Sequence, residues 1–408
     1  MSANLPRMGR SGAFLLNAAI LATFLGASAV PTPVYPLYQT LWGFPPVATT
    51  VVFAVYALAL LGSLLFFGRL ADHLGSRPVI LAAMGVEVAS MASFMTASNL
   101  AGLLVARVLQ GLATGAAMSA AGSALMTLEN PRRKGSAALV NAVAAPVGLA
   151  FGATGASLMV DLLPAPTRLS YLVVAIVVVV LGALLLCTPS PAARVSGAWA
   201  SLKPSIRIPP SARQAMAIGM PVAGAIWALG GLYLSLGPAL SNSVSGTPSP
   251  LLGGLALLCL YVPAALSIAG LRRLGDRSIL IIAVIALACG VSILVSGVIF
   301  GSVIAYFCGT LIAGVGFGSG YYVVLRAILP LSAPHERTGL LSTIYLVCYL
   351  AFSLPTVAAG LLVGQVGLRM TTCGYGAVVV VSALPALIVV MRRAFRERRA
   401  SVAMGPLT

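Results

Sequence analysis

The sequence predicts an all-α membrane protein of about twelve transmembrane helices, arranged as two six-helix pseudo-repeats. Three observations carry that prediction. Only 8% of the 408 residues are charged and 60% are hydrophobic, whereas a soluble domain uses roughly 25% charged residues to cover its surface. Two stretches, 11–68 and 214–271, contain no Asp, Glu, Lys or Arg. One span needs about 20 apolar residues, so each stretch holds two spans and a turn. Finally, landmarks of the first half of the chain recur in the second.

Apolar runs place the spans at 13–36, 46–68, 78–98, 100–128, 137–161, 168–187, 212–240, 250–271, 278–299, 302–329, 339–363 and 370–391. Turn-forming residues separate them: Pro45-Pro46, Asn99, Pro164 and Pro166, Ser241 to Pro250, and Gly364 to Gly367. Residues 188–211 are rich in Pro and Ser and carry Arg194, Lys203 and Arg207. They read as a cytoplasmic linker between an amino-terminal bundle, 1–187, and a carboxy-terminal bundle, 212–408, that ends in a basic cytoplasmic tail. Arg7, Arg10 and the run to Ala27-Ser28-Ala29 imitate a cleaved signal peptide, but the repeat requires the first span in place.

One constant offset carries Arg10 onto Arg213, Arg69 onto Arg272, Pro131 onto Pro334, and Lys134 onto Arg337. It also carries Gly111 and Gly115 onto Gly314 and Gly318. A slightly smaller offset pairs Leu74-Gly75-Ser76-Arg77 with Leu274-Gly275-Asp276-Arg277. Parallel six-helix repeats form a transporter plan in which the substrate site lies between the halves near the bilayer midplane.

The net charge of +17 raises nucleic acid as a partner, and the distribution of charge excludes it. With the amino terminus inside, Arg168 and Arg369 fall outside and Arg107 and Arg326 fall within spans. The rest of the 24 Lys and Arg residues lie in cytoplasmic segments, as the positive-inside rule requires. The six cysteines lie in or beside apolar runs without a Cys-x-x-Cys pair, so they suggest neither a disulfide framework nor a metal site. The two histidines, His73 and His335, sit in separate loops, and no phosphate-cradling Gly-x-x-x-x-Gly-Lys-Ser/Thr occurs. No enzyme chemistry and no cofactor is expected.

Residues 68–81 read GRLADHLGSRPVIL. They resemble the cytoplasmic signature of the major facilitator superfamily, Gly-x-Leu-Ala-Asp-Arg-x-Gly-Arg-Arg/Lys, through Gly68, Leu70, Ala71, Asp72, Gly75 and Arg77. His73 and Ser76 stand where the family has basic residues. The resemblance implies a conformational gate formed by Gly68, Asp72, Gly75 and Arg77. Gly68 would permit close helix approach, and Asp72 would face the start of the eleventh span, near Thr338-Gly339, where the helix dipole favours an anion. The fourth span, LLVARVLQGLATGAAMSAAG, resembles a second family signature, Arg-x-x-Gln-Gly, in Arg107, Gln110 and Gly111. In proton-coupled drug exporters of the family the matching arginine takes part in coupling; the alternative is a structural arginine reaching the outer interface.

Glu87 is the sole acid near the middle of a span, and hydrocarbon disfavours its charged form. Three roles stay open: a proton site, a neutral hydrogen-bonding acid, or a salt-bridge partner of Arg107. In the fifth span Ala145-Pro146-Val147-Gly148, with Gly152 and Gly155, is a degraded form of the Gly-Pro-x-x-Gly-Gly motif of family antiporters. The first span carries no acid, which argues against strongly cationic cargo. Candidate cavity residues are Asn17, Tyr35, Gln110, Asn141, Trp227, Tyr233, Tyr261, Tyr306, Tyr321, Tyr345 and Tyr349. Arg326 is expected to snorkel to the cytoplasm.

The resemblance thus implies a monomeric secondary transporter in a bacterial cytoplasmic (inner) membrane, multi-pass with both termini cytoplasmic. Its partners would be a small-molecule substrate, protons and lipid. Export of drugs or metabolites is the first expectation and proton-symport import of a metabolite the second. A receptor or assembly factor that kept the fold without transport is more remote.

Overall fold

Hydrocarbon offers the backbone no hydrogen-bonding partner, so each apolar run must satisfy its own amides, and a helix does so. The computed structural model describes residues 8–188, 202, 204, 206–333 and 336–403. Its helices are α1 (Arg10–Ala29), α2 (Pro31–Trp42), α3 (Pro46–Phe67), α4 (Leu70–Leu74), α5 (Ser76–Thr96), α6 (Leu100–Leu128), α7 (Ser136–Leu162) and α8 (Pro166–Leu186). They are followed by α9 (Arg213–Ser245), α10 (Pro250–Leu271), α11 (Asp276–Phe300), α12 (Val303–Ile328) and α13 (Arg337–Ala403). Most of the expected linker (189–201, 203 and 205), Pro334, His335 and the side chains of the basic tail lie outside the described residues.

Among the described residues, 11 helical stretches are long and apolar enough to cross a membrane. The last, Arg337–Val389, has 53 residues; as one rod it would extend about 80 Å, far more than a core of about 30 Å. It breaks at Gly367, where φ is +81°, a left-handed conformation that favours glycine. It therefore crosses twice, and the expected twelve crossings are present. The turn expected over Gly364 to Gly367 contracts to this single break.

The first span differs from the expected 13–36. It runs Arg10–Trp42 and is interrupted at Val30, between α1 and α2. Pro31 and Pro33 have no N–H, so they remove the ladder donors of the Ala27 and Ala29 carbonyls. Val30 N turns back to Ala27 O instead, at 3.2 Å.

The pseudo-repeat appears in the packing. In the first half α5 packs on α6, α3 on α6, α1 on α6 and α7, and α5 on α8. The equivalent contacts in the second half are α11 on α12, α10 on α12, α9 on α12 and α13, and α11 on α13. Gly111 and Gly115 bring α6 against the backbone of α3 at Tyr56 and Leu60, and Gly314 and Gly318 bring α12 against Leu260 and Ala264 of α10.

Arginines cluster at one end of the bundle, called here the basic end, where several tie down helix C-termini, whose last carbonyls lack partners and carry partial negative charge. Arg10 donates to the Thr127, Leu128 and Glu129 carbonyls at 3.0, 3.1 and 2.9 Å. Arg77 donates to Leu186 and Thr188 at the end of α8, at 2.7 and 3.0 Å. Arg326 reaches out of α12 to the Arg272 carbonyl at 2.9 Å and pairs with Asp276 at 2.7 Å. The two halves meet along α3 with α13 and α7 with α10. Among the described residues two hydrogen bonds cross between them, Thr32 Oγ1 to Leu234 O at 2.8 Å and Thr154 Oγ1 to Gly254 O at 3.2 Å. Both lie toward the end opposite the basic one.

Candidate functional site

The close α3–α6 crossing at Gly111 sets the preceding turn of α6 against the break in the first span. Arg107 and Gln110 point into that break and fill it. Arg107 Nη1 donates to Ser28 O at 2.9 Å and to Gln110 Oε1 at 2.5 Å. Its Nε donates to the Tyr35 hydroxyl at 2.9 Å, and Nη2 donates to the same hydroxyl. Gln110 Nε2 donates to Ala27 O at 3.0 Å, a carbonyl whose ladder donor Pro31 cannot supply. The same Nε2 approaches Glu87 Oε1 of α5 at 3.3 Å. Glu87 Oε2 is buried without a hydrogen-bond partner.

Glu87, Arg107 and Gln110 all have 0% exposure, so Arg107 does not extend to the interface, as the structural reading of the sequence had it. Nor does it pair directly with Glu87: Gln110 stands between them. The guanidinium carbon lies 5.5 Å from the ring centre of Tyr35, 5.1 Å from Tyr56 and 5.8 Å from Phe94. Three π faces and four neutral acceptor bonds thus hold a cation that would otherwise be costly inside a span.

This network has no counterpart in the second half. The repeat offset carries Glu87 onto Gly290, Arg107 onto Thr310, Gln110 onto Ala313 and Ser28 onto Gly231. A Cβ added at Gly290 would strike the Ala313 backbone. Where α5 and α6 are joined by a carboxyl and an amide, α11 and α12 touch directly.

The other candidates fall into separate places. Trp227 of α9 lies edge-on to Tyr321 at 5.4 Å, Tyr349 at 4.7 Å and Phe352 at 5.4 Å; Tyr345 neighbours Tyr349 at 6.4 Å. Phe352 meets Phe53 of α3 at 4.7 Å, across the divide between halves. Tyr261 packs against Phe317 at 5.3 Å. Tyr233 shares a 2.5 Å hydrogen bond with Thr310 and, with Tyr306, lies in the core of the second half. Asn17 is buried and donates to Ala13 O at 2.8 Å, and Asn141 is half-buried beside Gly122 of α6. Tyr35 and Gln39 also wall a cavity of about 70 Å³ between the halves, with Ser235, Pro238 and Leu368 opposite.

The loop residues are placed as follows. Gly68 ends α3, and a Cβ there would meet the Leu64 carbonyl of its own helix rather than a neighbouring one. Gly75 takes φ +88°, which only glycine accepts easily. Asp72 is exposed, and its helix α4 packs on α5 and α6, within its own half. Arg77 clamps α8, also in its own half. The degraded proline-glycine motif still makes a close contact: Gly148 and Gly152 of α7 meet the backbone of α1 at Ala22 and Gly26.

Residues that escaped the sequence reading are Ser28, Phe53, Tyr56, Phe94 and Phe352. Pro31 and Pro33 signalled the first, since prolines in mid-span free carbonyls that something must satisfy. The aromatic residues carry no local signal; only the meeting of helices distinguishes them from ordinary core.

The Major Facilitator Superfamily model matches residues 16–356. No curated protein matches the sequence. Among solved structures, a mutant of the nucleoside transporter NupG superposes with a TM-score of 0.69 at 12% identity, over 92% of this chain and 99% of that one. Likeness at that identity establishes fold. The chain belongs to the major facilitator superfamily.

Proposed function

We propose that the chain is a proton-coupled secondary transporter that exports a small organic molecule by alternating access. Bundles 1–187 and 212–408, joined by the 188–211 linker, would rock as a monomer in a bacterial cytoplasmic membrane, with both termini inside. The observation that carries this reading is Glu87, a buried acid with an unpartnered oxygen, joined through Gln110 and Arg107 to the break in the first span.

The mechanism follows from how Gln110 divides its bonds. A charged Glu87 pulls the Gln110 amide, and with it Arg107, toward α5. A neutral Glu87 accepts weakly, leaving Gln110 and Arg107 to grip the Ala27 and Ser28 carbonyls and the Tyr35 hydroxyl. Tyr35 belongs to α2, which walls the cavity between the halves, so the charge on α5 is read as the hold on α2. The single polar network implies one proton site, in the first half only. At the basic end, Asp72 is free to engage the start of α13 in the alternate conformation.

The test uses proteoliposomes under an imposed pH gradient with a panel of small organic compounds. Glu87→Gln keeps the shape and removes the titrating group, so gradient-driven flux disappears while exchange without a gradient persists. Unchanged gradient-driven flux would remove Glu87 from the mechanism. The degraded antiporter motif at Ala145-Pro146 favours a second reading, import by proton symport. The polarity of the gradient that drives accumulation separates the two.

A further inference from the structure

We infer that the aromatic cluster around Trp227 is the substrate site and that it takes an uncharged, planar aromatic molecule with hydrogen-bonding groups on its rim. The inference rests on the transporter reading and specifies its cargo. The cluster lies where a transported molecule must be held, since Phe352 of α13 and Phe53 of α3 join the two halves there at 4.7 Å.

Its chemistry is unsatisfied in a particular way. Buried tyrosines ordinarily find a partner for the hydroxyl. The hydroxyls of Tyr321, Tyr345 and Tyr349 make no hydrogen bond among the described residues, although all three lie within the bundle. Tyr321, Tyr345 and Trp227 are only half-buried. Around Trp227 the neighbouring rings stand at 70°, 69° and 74°. A further flat ring would meet these in the same favourable geometry, with the three hydroxyls at its rim.

Charge narrows the class. None of the seven acidic residues lies in the interior of a span of the second half; Asp276, the first residue of α11, and Glu336 are at the basic end. Across the divide, Arg107 stands over the ring of Tyr56 on α3. A cation entering the cluster would lose its water without gaining a counter-ion, and ring faces offset only part of that cost. An anion fares no better, because Arg107 is already committed to Ser28, Tyr35 and Gln110.

Calorimetric titration of the purified full-length protein tests the assignment with four probes. Caffeine and coumarin are uncharged, planar and carry carbonyl oxygens on the rim; N-methylquinolinium is a planar cation of similar size; glucose is uncharged and not aromatic. At least one of the first two should bind more tightly than either of the others. Trp227→Ala should weaken that binding at least about tenfold, Trp227→Phe should retain most of it, and Tyr349→Phe should weaken it severalfold while leaving the ring. If Trp227→Ala does not fold, Trp227→Phe and Tyr349→Phe still decide the matter. Tighter binding of the cation or of glucose, no binding by either neutral planar probe, or indifference to Trp227→Ala or to Tyr349→Phe would overturn the assignment. Its failure is distinguishable from failure of the transporter reading: gradient-driven flux of some other class of compound sinks only the substrate class, whereas no flux of any compound sinks both.

Discussion

Replacing Arg107 with lysine keeps the charge and discards the fork, which makes it a direct test of whether geometry or charge matters at the break in the first span. The guanidinium spans Ser28 O, Gln110 Oε1 and the Tyr35 hydroxyl from three nitrogens. An ammonium offers its donors from a single point and cannot reproduce the rigid fork that meets the Ser28 carbonyl, Gln110 Oε1 and the Tyr35 hydroxyl from three nitrogens. Hydrogen bonds to a charged group contribute about 1.5–3 kcal/mol each, so Arg107→Lys should cost about 3 kcal/mol. Tyr35→Phe removes the acceptor from the other side and should cost a similar amount. Because both remove the same contact, the double variant should cost less than the sum, by about 1.5–3 kcal/mol. Equilibrium unfolding of the four proteins in mixed micelles measures this cycle. Additivity within about 0.5 kcal/mol would refute the reasoning and leave Arg107 as a simple charge.

Two further outcomes follow from the packing and the loops. A Cβ at Gly152 would strike the Gly26 backbone, which cannot step aside, whereas one at Gly155 meets nothing within 4 Å. Thermal unfolding in detergent should therefore show Gly152→Ala destabilised by about 1–3 kcal/mol or more and Gly155→Ala unchanged or slightly stabilised, as alanine favours a helix. Glu129 Oε1 accepts from Ala137 N at 2.9 Å and Ser136 Oγ at 3.3 Å at the start of α7, and the bond from the Ala137 amide leads in holding its carboxyl below the ordinary carboxylate value. A lowered folded value means the stabilisation is complete above the ordinary value and is lost as pH falls through the folded one. Glu129→Gln should flatten the acid limb of stability against pH, and an unaltered limb would count against this cap.

The transmembrane architecture was legible because its causes are local. Scarcity of charge, run length and the sidedness of arginine are properties of the chain read in order, and the bilayer turns them into helices and their count. The offset linking Gly111 and Gly115 to Gly314 and Gly318 exposed the repeat for the same reason: equal folding tasks demand equal small residues. What the sequence left open was partnership. It offered Glu87 three roles, and only the packing of α5, α6 and the broken first span sets Gln110 between Glu87 and Arg107. It read Gly68 as a contact for a neighbouring helix, and the chain instead turns it onto its own Leu64.

Composition and order by themselves determined that this chain lies in lipid, crosses about twelve times and repeats itself. Tertiary structure alone decided that Glu87, Gln110 and Arg107 join in one buried network and that rings from α3, α9, α12 and α13 converge on one corner. The physical reason is range. Burial in a bilayer acts on each segment separately, whereas a hydrogen bond or a ring contact exists only once two distant segments are brought within a few ångströms.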